Sequence, residues 1–159
     1  MLSLEHAQKE IQNIMDTVML HQHRRPLFER LGRMMKTDTL MNFRHQSAPD
    51  GTPWAPLKIR SGQILSDSGL LKRSINDKPG NDQVEIGTNK KYARTHQFGA
   101  TIKPKKAKAL AFPGPGGKKI FAKKVVIPKR EFLGIAQRQV NKIHQEIDKW
   151  VRDVANRNV

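Results

Sequence analysis

Apolar residues Leu4, Ala7, Ile11, Ile14, Met15 and Val18 recur at three- and four-residue spacing over residues 3–22, which predicts an amphipathic helix capped by Ser3. Arg24-Arg25-Pro26 interrupts that pattern. Pro26 suits the first position of a second helix, because its φ is fixed and it has no N–H to lose. Leu27, Leu31, Met34, Met35 and Met41 give this helix an apolar face to about residue 44. Near the other end, Ala136, Val140, Ile143, Ile147, Trp150, Val151 and Val154 form a clean helical stripe.

Between these helices the pattern changes. Pro49, Asp50, Gly51, Pro53 and Pro56 break regular structure over residues 47–57 and predict a fixed loop. Trp54 sits inside it. Burying the ring would fix the loop to the body, and the alternative is stacking on a ligand. Ser66-Asp67-Ser68-Gly69 can cap a short helix over residues 70–75, and residues 77–82 read as a turn. Residues 83–87 alternate as a strand does, and residues 92–98 read as one helical turn before Gly99. Residues 107–112 and 119–127 flank Pro113-Gly114-Pro115-Gly116-Gly117, predicting two strands joined at a flexible tip.

Helices bracketing a small antiparallel sheet make an α+β layout. The expected organisation is a single domain over residues 1–159. It has a helical N-terminal part (1–45), a loop-and-sheet part (46–134) with a long lysine-rich hairpin at about 101–127, and a C-terminal helix (135–157). A 159-residue chain can bury one core, but only 36% of its residues are hydrophobic and 28% are charged, so that core is thin and invites support from neighbouring subunits. No cysteine is present, which excludes disulfides and thiolate metal sites and fits a reducing compartment. No apolar run approaches the length of a membrane span, and no signal peptide is recognisable, so a soluble protein is expected.

Charge changes the picture most. There are 30 Lys and Arg against 14 Asp and Glu, a formal net charge of +16, enough to attract polyanions or acidic protein surfaces. Over residues 101–134 the sole acid is Glu131, while Lys103, Lys105, Lys106, Lys108, Lys118, Lys119, Lys123, Lys124, Lys129 and Arg130 are basic. Phe112 and Phe121 are the aromatics of the hairpin, too few for base stacking. Three readings of this segment stay open: contact with acidic protein or sibling subunits, contact with DNA, and a solvated face.

Candidate chemistry is sparse. His21 and His23 have the wrong helical spacing for metal and no nearby acids, and His6, His45, His96 and His144 are scattered. Neither a Gly-x-Ser-x-Gly elbow nor a phosphate-cradling Gly-Lys-Ser/Thr ending occurs. His96, within Tyr92-Ala93-Arg94-Thr95-His96-Gln97-Phe98, is the most enzyme-like residue, yet no partner carboxylate or nucleophile is evident. The expected role is a hydrogen bond to a neighbouring loop or subunit.

Six stretches carry a resemblance. They are Arg24-Arg25-Pro26-Leu27, Pro49-Asp50-Gly51-Thr52-Pro53-Trp54-Ala55-Pro56-Leu57-Lys58, Ile64-Leu65-Ser66-Asp67-Ser68-Gly69-Leu70-Leu71-Lys72-Arg73-Ser74-Ile75, Val84-Glu85-Ile86-Gly87-Thr88, Tyr92-Ala93-Arg94-Thr95-His96-Gln97-Phe98-Gly99, and Ile127-Pro128-Lys129-Arg130-Glu131-Phe132-Leu133-Gly134. In this order they resemble the phage virion morphogenesis family of tail-completion proteins from Mu-like and related contractile-tailed phages. The last motif in that family tends to read Ile-Pro-Ala-Arg-Pro-Phe-Leu-Gly, so Lys129 and Glu131 are departures, and losing the second proline is expected to loosen the lead into the last helix.

The resemblance implies a non-enzymatic virion protein without a cofactor, assembled in the host cytoplasm and located in the tail or neck. It implies a homo-oligomeric ring, six-fold, at the head-proximal end of the tail, touching the tail tube protein and neck or connector proteins, ending tube growth and preparing head–tail joining. The alternative is a basic DNA-binding module contacting the genome end in the neck. On the ring reading, Lys103, Lys105, Lys106, Lys108, Phe112, Lys118, Lys119, Phe121, Lys123 and Lys124 form the subunit or partner interface, and Trp54, Tyr92, His96, Phe98 and Phe132 hold the fold.

Overall fold

The structure, a computed structural model, describes residues 8–9, 11–13, 21–58 and 61–157. The helix expected over residues 3–22 lies largely outside the described residues, of which 8–9 and 11–13 are helical. In chain order the elements are α1 (His21–His45), α2 (Leu70–Arg73), β1 (Asn76–Pro79), β2 (Val84–Gly87), α3 (Ala93–Phe98), β3 (Ala100–Ile102), β4 (Leu110–Pro113), a 3₁₀ turn (Pro115–Gly117), β5 (Lys119–Ala122), β6 (Val125–Ile127) and α4 (Gln137–Arg157). The strands pair two by two, as β1 with β2, β3 with β6, and β4 with β5. This is an α+β fold.

The helix does not begin at Pro26, as the sequence pattern predicted: α1 runs through it from His21. Pro26 forfeits the bond to the Gln22 carbonyl and its ring crowds that carbonyl, but the long run of helix bonds that follows outweighs this cost. The turn expected over residues 77–82 is also shorter. Residues 76–79 form β1 and the chain reverses at Gly80, whose N–H donates to the Gln83 carbonyl at 2.8 Å. Asp77 is held there by the Lys36 ammonium at 3.1 Å, so a specific partner overrides the turn preference of Asp, Pro and Gly.

The contacts divide the chain into two units. The first comprises Met1–Thr37, Asp77–Ile86 and Ile135–Val159. Its core is Leu27 and Leu31 from α1 with Trp150 and Val154 from α4, edged by Phe28, Met34, Val84, Ile143, Ile147 and Val151. Burying each of these large side chains contributes about 1.5–3 kcal/mol. Gly32 is where α1 meets the β1–β2 pair, since a Cβ there would stand 2.9 Å from Val84 Cγ2 and 3.0 Å from Asp77 Oδ2. Arg30 reaches Asp153 at 3.4 Å, tying α1 to α4. Gln139 is buried in the first turn of α4, its Oε1 accepting the Ala136 N–H at 3.2 Å.

The second unit comprises Asp38–Asn76 and Gly87–Gly134. Its centre is aromatic. Phe43, fully buried near the end of α1, meets the Trp54 ring edge-on at 5.6 Å and the Phe132 ring at 5.3 Å. Edge-on pairs of this kind add about 0.5–1.5 kcal/mol beyond the area they bury.

Candidate interaction surface

The proline-rich loop is held at both ends. The Asp50 carboxylate accepts the Thr52 N–H at 2.9 Å, and Ala48 N–H donates to the Thr52 carbonyl at 2.8 Å. The backbone N–H and then the side chain of Thr52, hydrogen-bonded to the carboxylate, keep the Asp50 carboxyl below its usual pKa. Gly51 turns the chain at φ 92°, a conformation that costs other residues more. Trp54 donates its indole N–H to the Glu131 carbonyl at 2.8 Å while its ring lies in the core.

Arg130 closes the same loop from the other side. Its Nε donates to the Ala55 carbonyl at 2.8 Å and its Nη2 to the Pro56 carbonyl at 3.0 Å, and its backbone N–H meets the His96 carbonyl at 2.8 Å. The side chain is buried, so Arg130 does not belong to the basic surface in which the charge count places it. Its fork satisfies two loop carbonyls that have no strand partner.

Gln97, from α3, was not legible as a key residue. Its Oε1 accepts the Phe132 and Leu133 N–H groups, both at 3.1 Å, and its Nε2 donates to the Leu133 carbonyl at 2.6 Å. One amide therefore replaces a strand edge for residues 132–133. Asn42 caps the arrangement by donating to the Phe132 carbonyl at 3.1 Å. The clue in the sequence was a polar amide between His96 and Phe98, a residue with both a donor and an acceptor to spend.

Of the five residues expected to hold the fold, Trp54 and Phe132 are buried, at 6% and 0% exposure. Phe98 does not do so, because its ring is 67% exposed, and Tyr92 is 44% exposed. Phe98 ends α3 and Tyr92 is its N-cap, and the inward face of α3 is occupied by Ala93 and by the backbone-binding Gln97. Tyr92 instead meets the His96 ring edge-on at 6.1 Å. His96 is half-buried and its Nδ1 has no hydrogen-bond partner among the described residues. Burial, and then the Arg130 charge, push its pKa below 6.5. With Tyr92, Leu65, Leu70, Leu71 and Arg130, it lines a groove of about 450 Å³. No described carboxylate hydrogen-bonds this imidazole.

The departures at Lys129 and Glu131 face each other, Nζ to Oε2, at 2.6 Å. The pair is largely exposed and contributes little to stability.

The hairpin projects from Gly99, which takes φ 74° where a Cβ would come within 3.0 Å of the Ile127 carbonyl oxygen and the Lys129 nitrogen. Two ladders are nested. Ala100, Thr101 and Ile102 pair with Ile127, Val126 and Val125, and Leu110 through Pro113 pair with Ala122 through Lys119. The strand expected over residues 119–127 is thus interrupted. Between the ladders one side has residues 103–109 and the other only 123–124, so the ladder cannot stay in register across this level.

The register sorts the side chains. Leu110, Phe112, Ile120 and Ala122 share a half-buried face, whereas Ala111 and Phe121 lie on the opposite, exposed one. All eight lysines from Lys103 to Lys124 are exposed, and none has an ion-pair partner among the described residues. Lys103, Lys105, Lys106, Lys108, Lys123 and Lys124 gather at the level between the ladders, with Lys118 and Lys119 at the tip. The second unit as a whole holds 18 Lys and Arg against 4 acids, a difference of +14, while the first holds 12 against 10, a difference of +2.

Among the described residues, no cluster of three or more His, Asp or Glu is placed to hold a metal, and no helix is long and apolar enough to cross a membrane. The arrangement is a scaffold of interlocked loops that carries an exposed basic hairpin. The chain belongs to the phage virion morphogenesis family, whose pattern it matches over residues 2–152. It is 31% identical over 128 residues to the Mu-like prophage FluMu G protein 2 of Haemophilus influenzae, covering 80% of this chain and 78% of that protein. No solved structure matches it. A role in building the phage virion follows from the family.

Proposed function

We propose that this protein is a tail-completion subunit that closes into a homo-oligomeric ring at the head-proximal end of a phage tail, six-fold as the resemblance implies. There it ends tube growth and prepares the joint to the neck. Family membership supports the morphogenetic role, and the likeness to a Mu-like prophage protein fits a tailed particle.

The observation that carries the ring is the pair of unlike apolar patches on the second unit. One lies on the hairpin, where Phe121 and Val126 are 68% and 61% exposed and Ile102, on the ladder face opposite Val126, is 41% exposed. The other is formed by Leu70 and Tyr92, at 48% and 44%, which line the concave groove. A ring needs a heterologous contact, in which one patch on each copy meets a different patch on the next. Exposed aromatic and aliphatic residues of this size supply the buried centre of such a contact.

The test is the mass of the purified protein by light scattering, followed by imaging of particles that carry a tagged copy. Wild-type protein is expected as a ring, and Phe121→Asp with Val126→Asp as a monomer with unchanged melting. A wild-type chain that stays monomeric when concentrated and is missing from purified particles would refute the proposal.

A further inference from the structure

The level between the two hairpin ladders has an unusual composition. Residues 103–109 and 123–124 comprise six lysines, Pro104, Ala107 and Ala109, and nothing else. The ladder pairs Ile102–Val125 and Leu110–Ala122 pin both ends of this bulge, which fixes the six ammonium groups to one part of the surface. From residue 86 to residue 130 there is no Asp or Glu to neutralise them. We infer that this bulge is a binding site for the phosphate backbone of duplex DNA, gripped without regard to base sequence.

The composition of the bulge favours DNA over an acidic protein. Protein interfaces are enriched in aromatic residues and Arg at their centres and depleted in Lys, and the bulge offers no aromatic, no Arg and no aliphatic side chain larger than Ala or Pro. Lys presents a compact charge on a flexible stem, which meets phosphates as a point charge without a fixed geometry. Base reading needs side chains that hydrogen-bond base edges or stack on bases, and none is present. A surface serving solubility alone would intersperse both signs, as the first unit does with 12 basic and 10 acidic residues. The inference uses the same hairpin as the ring reading but does not require ring closure, because the bulge lies within one chain.

The test is fluorescence anisotropy of a labelled 20-bp duplex with the full chain, titrated between 50 and 200 mM NaCl. Each lysine that neutralises a phosphate adds about −0.9 to the slope of log K against log salt. Engagement of all six gives a slope near −5 and about a thousandfold loss of affinity across that range. Replacing Lys103, Lys105, Lys106 and Lys108 by Gln should reduce the slope by about 3 to 4, and Lys123→Gln with Lys124→Gln by about 2. Lys149→Gln, exposed on the first unit, should leave it unchanged. Circular dichroism shows whether each variant stays folded. Absence of binding at 50 mM, slopes unmoved by the bulge substitutions, or poly-glutamate binding as tightly as duplex DNA at 150 mM would overturn the inference. Light scattering on the wild-type samples separates the two readings: a chain that stays monomeric with the slope intact sinks ring closure and leaves the DNA site standing.

Discussion

Replacing Gln97 by Ala removes the side chain that serves both N–H groups of residues 132–133 and the Leu133 carbonyl, while Asn42 keeps the Phe132 carbonyl. The Gln97 amide accepts two N–H groups at 3.1 Å and donates to one carbonyl at 2.6 Å. Leaving a buried polar group without a partner costs about 1–3 kcal/mol, and three groups lose theirs together. Leu133 is half-buried, so water recovers part of this, and freeing the Gln side chain returns about 1–2 kcal/mol of rotamer entropy. The net loss works out at about 2–4 kcal/mol. With a urea slope of about 2 kcal/mol per molar, the midpoint falls by roughly 1–2 M. Trp54, which belongs to the second unit and packs on Phe43, reports the transition by fluorescence once Trp150 is replaced by Phe in both proteins compared. Gln97→Glu keeps the acceptor for both amides but sets an anionic oxygen against the Leu133 carbonyl, so it should fall between wild type and Ala near neutral pH. A Gln97→Ala protein within about 0.5 kcal/mol of its parent would show that the amide fork does not hold the loop.

Gly99→Ala should destabilise the second unit by more than about 1 kcal/mol, because φ 74° disfavours an L side chain and the new Cβ would press on backbone at 3.0 Å. Equilibrium urea unfolding measures it, and a neutral result would mean that the base of the hairpin shifts freely. The pH dependence of His96 has a fixed sign. Its folded pKa lies below 6.5, so the unfolded chain binds the proton more readily, and stability is full above pH 6.5 and declines as pH falls below that value. The depressed Asp50 carboxyl acts separately, since its contribution is lost only as pH falls below about 3.8. Melting temperatures between pH 7.5 and 5 should therefore drop less for His96→Gln than for wild type, and parallel curves would refute the assignment.

Periodicity made the helices legible because their apolar stripes do what stripes usually do. The α4 residues Trp150 and Val154 meet Leu27 and Leu31 of α1. It failed at Pro26, where the bonds of the rest of the helix outweigh one missing N–H, and at residues 76–79, where the Lys36–Asp77 pair is long-range and leaves no local trace. The hairpin tip was legible from its Pro and Gly content, but the break between its ladders was not, since nothing in residues 119–127 announces that the opposite strand is longer by five residues at that level. Phe98 was misread because an aromatic beside a motif glycine looks like core, whereas α3 has its inward face filled by Ala93 and Gln97. The roles of Arg130 and Gln97 depend on which carbonyls and amides lack strand partners, and only the folded chain specifies those.

The stretches that carry the family resemblance converge on internal bonds. Trp54 and Arg130 fasten the proline-rich loop, Gln97 and Asn42 satisfy the backbone before Gly134, and Gly99 sets the base of the hairpin. Residues 103–124 fall between two of those stretches, one ending at Gly99 and the next beginning at Ile127, and they hold all eight exposed hairpin lysines. Likeness to the family therefore identifies the scaffold, while the properties of the projecting surface must be argued from its own charge and shape. Six ammonium groups in nine residues repel one another at no benefit to folding, so a fold that pins them between two ladders is best explained by an anionic partner. The lysine substitutions test this directly. They should raise or leave unchanged the melting temperature while lowering the salt slope for duplex DNA, and a variant that lost stability instead would show that the lysines serve the fold.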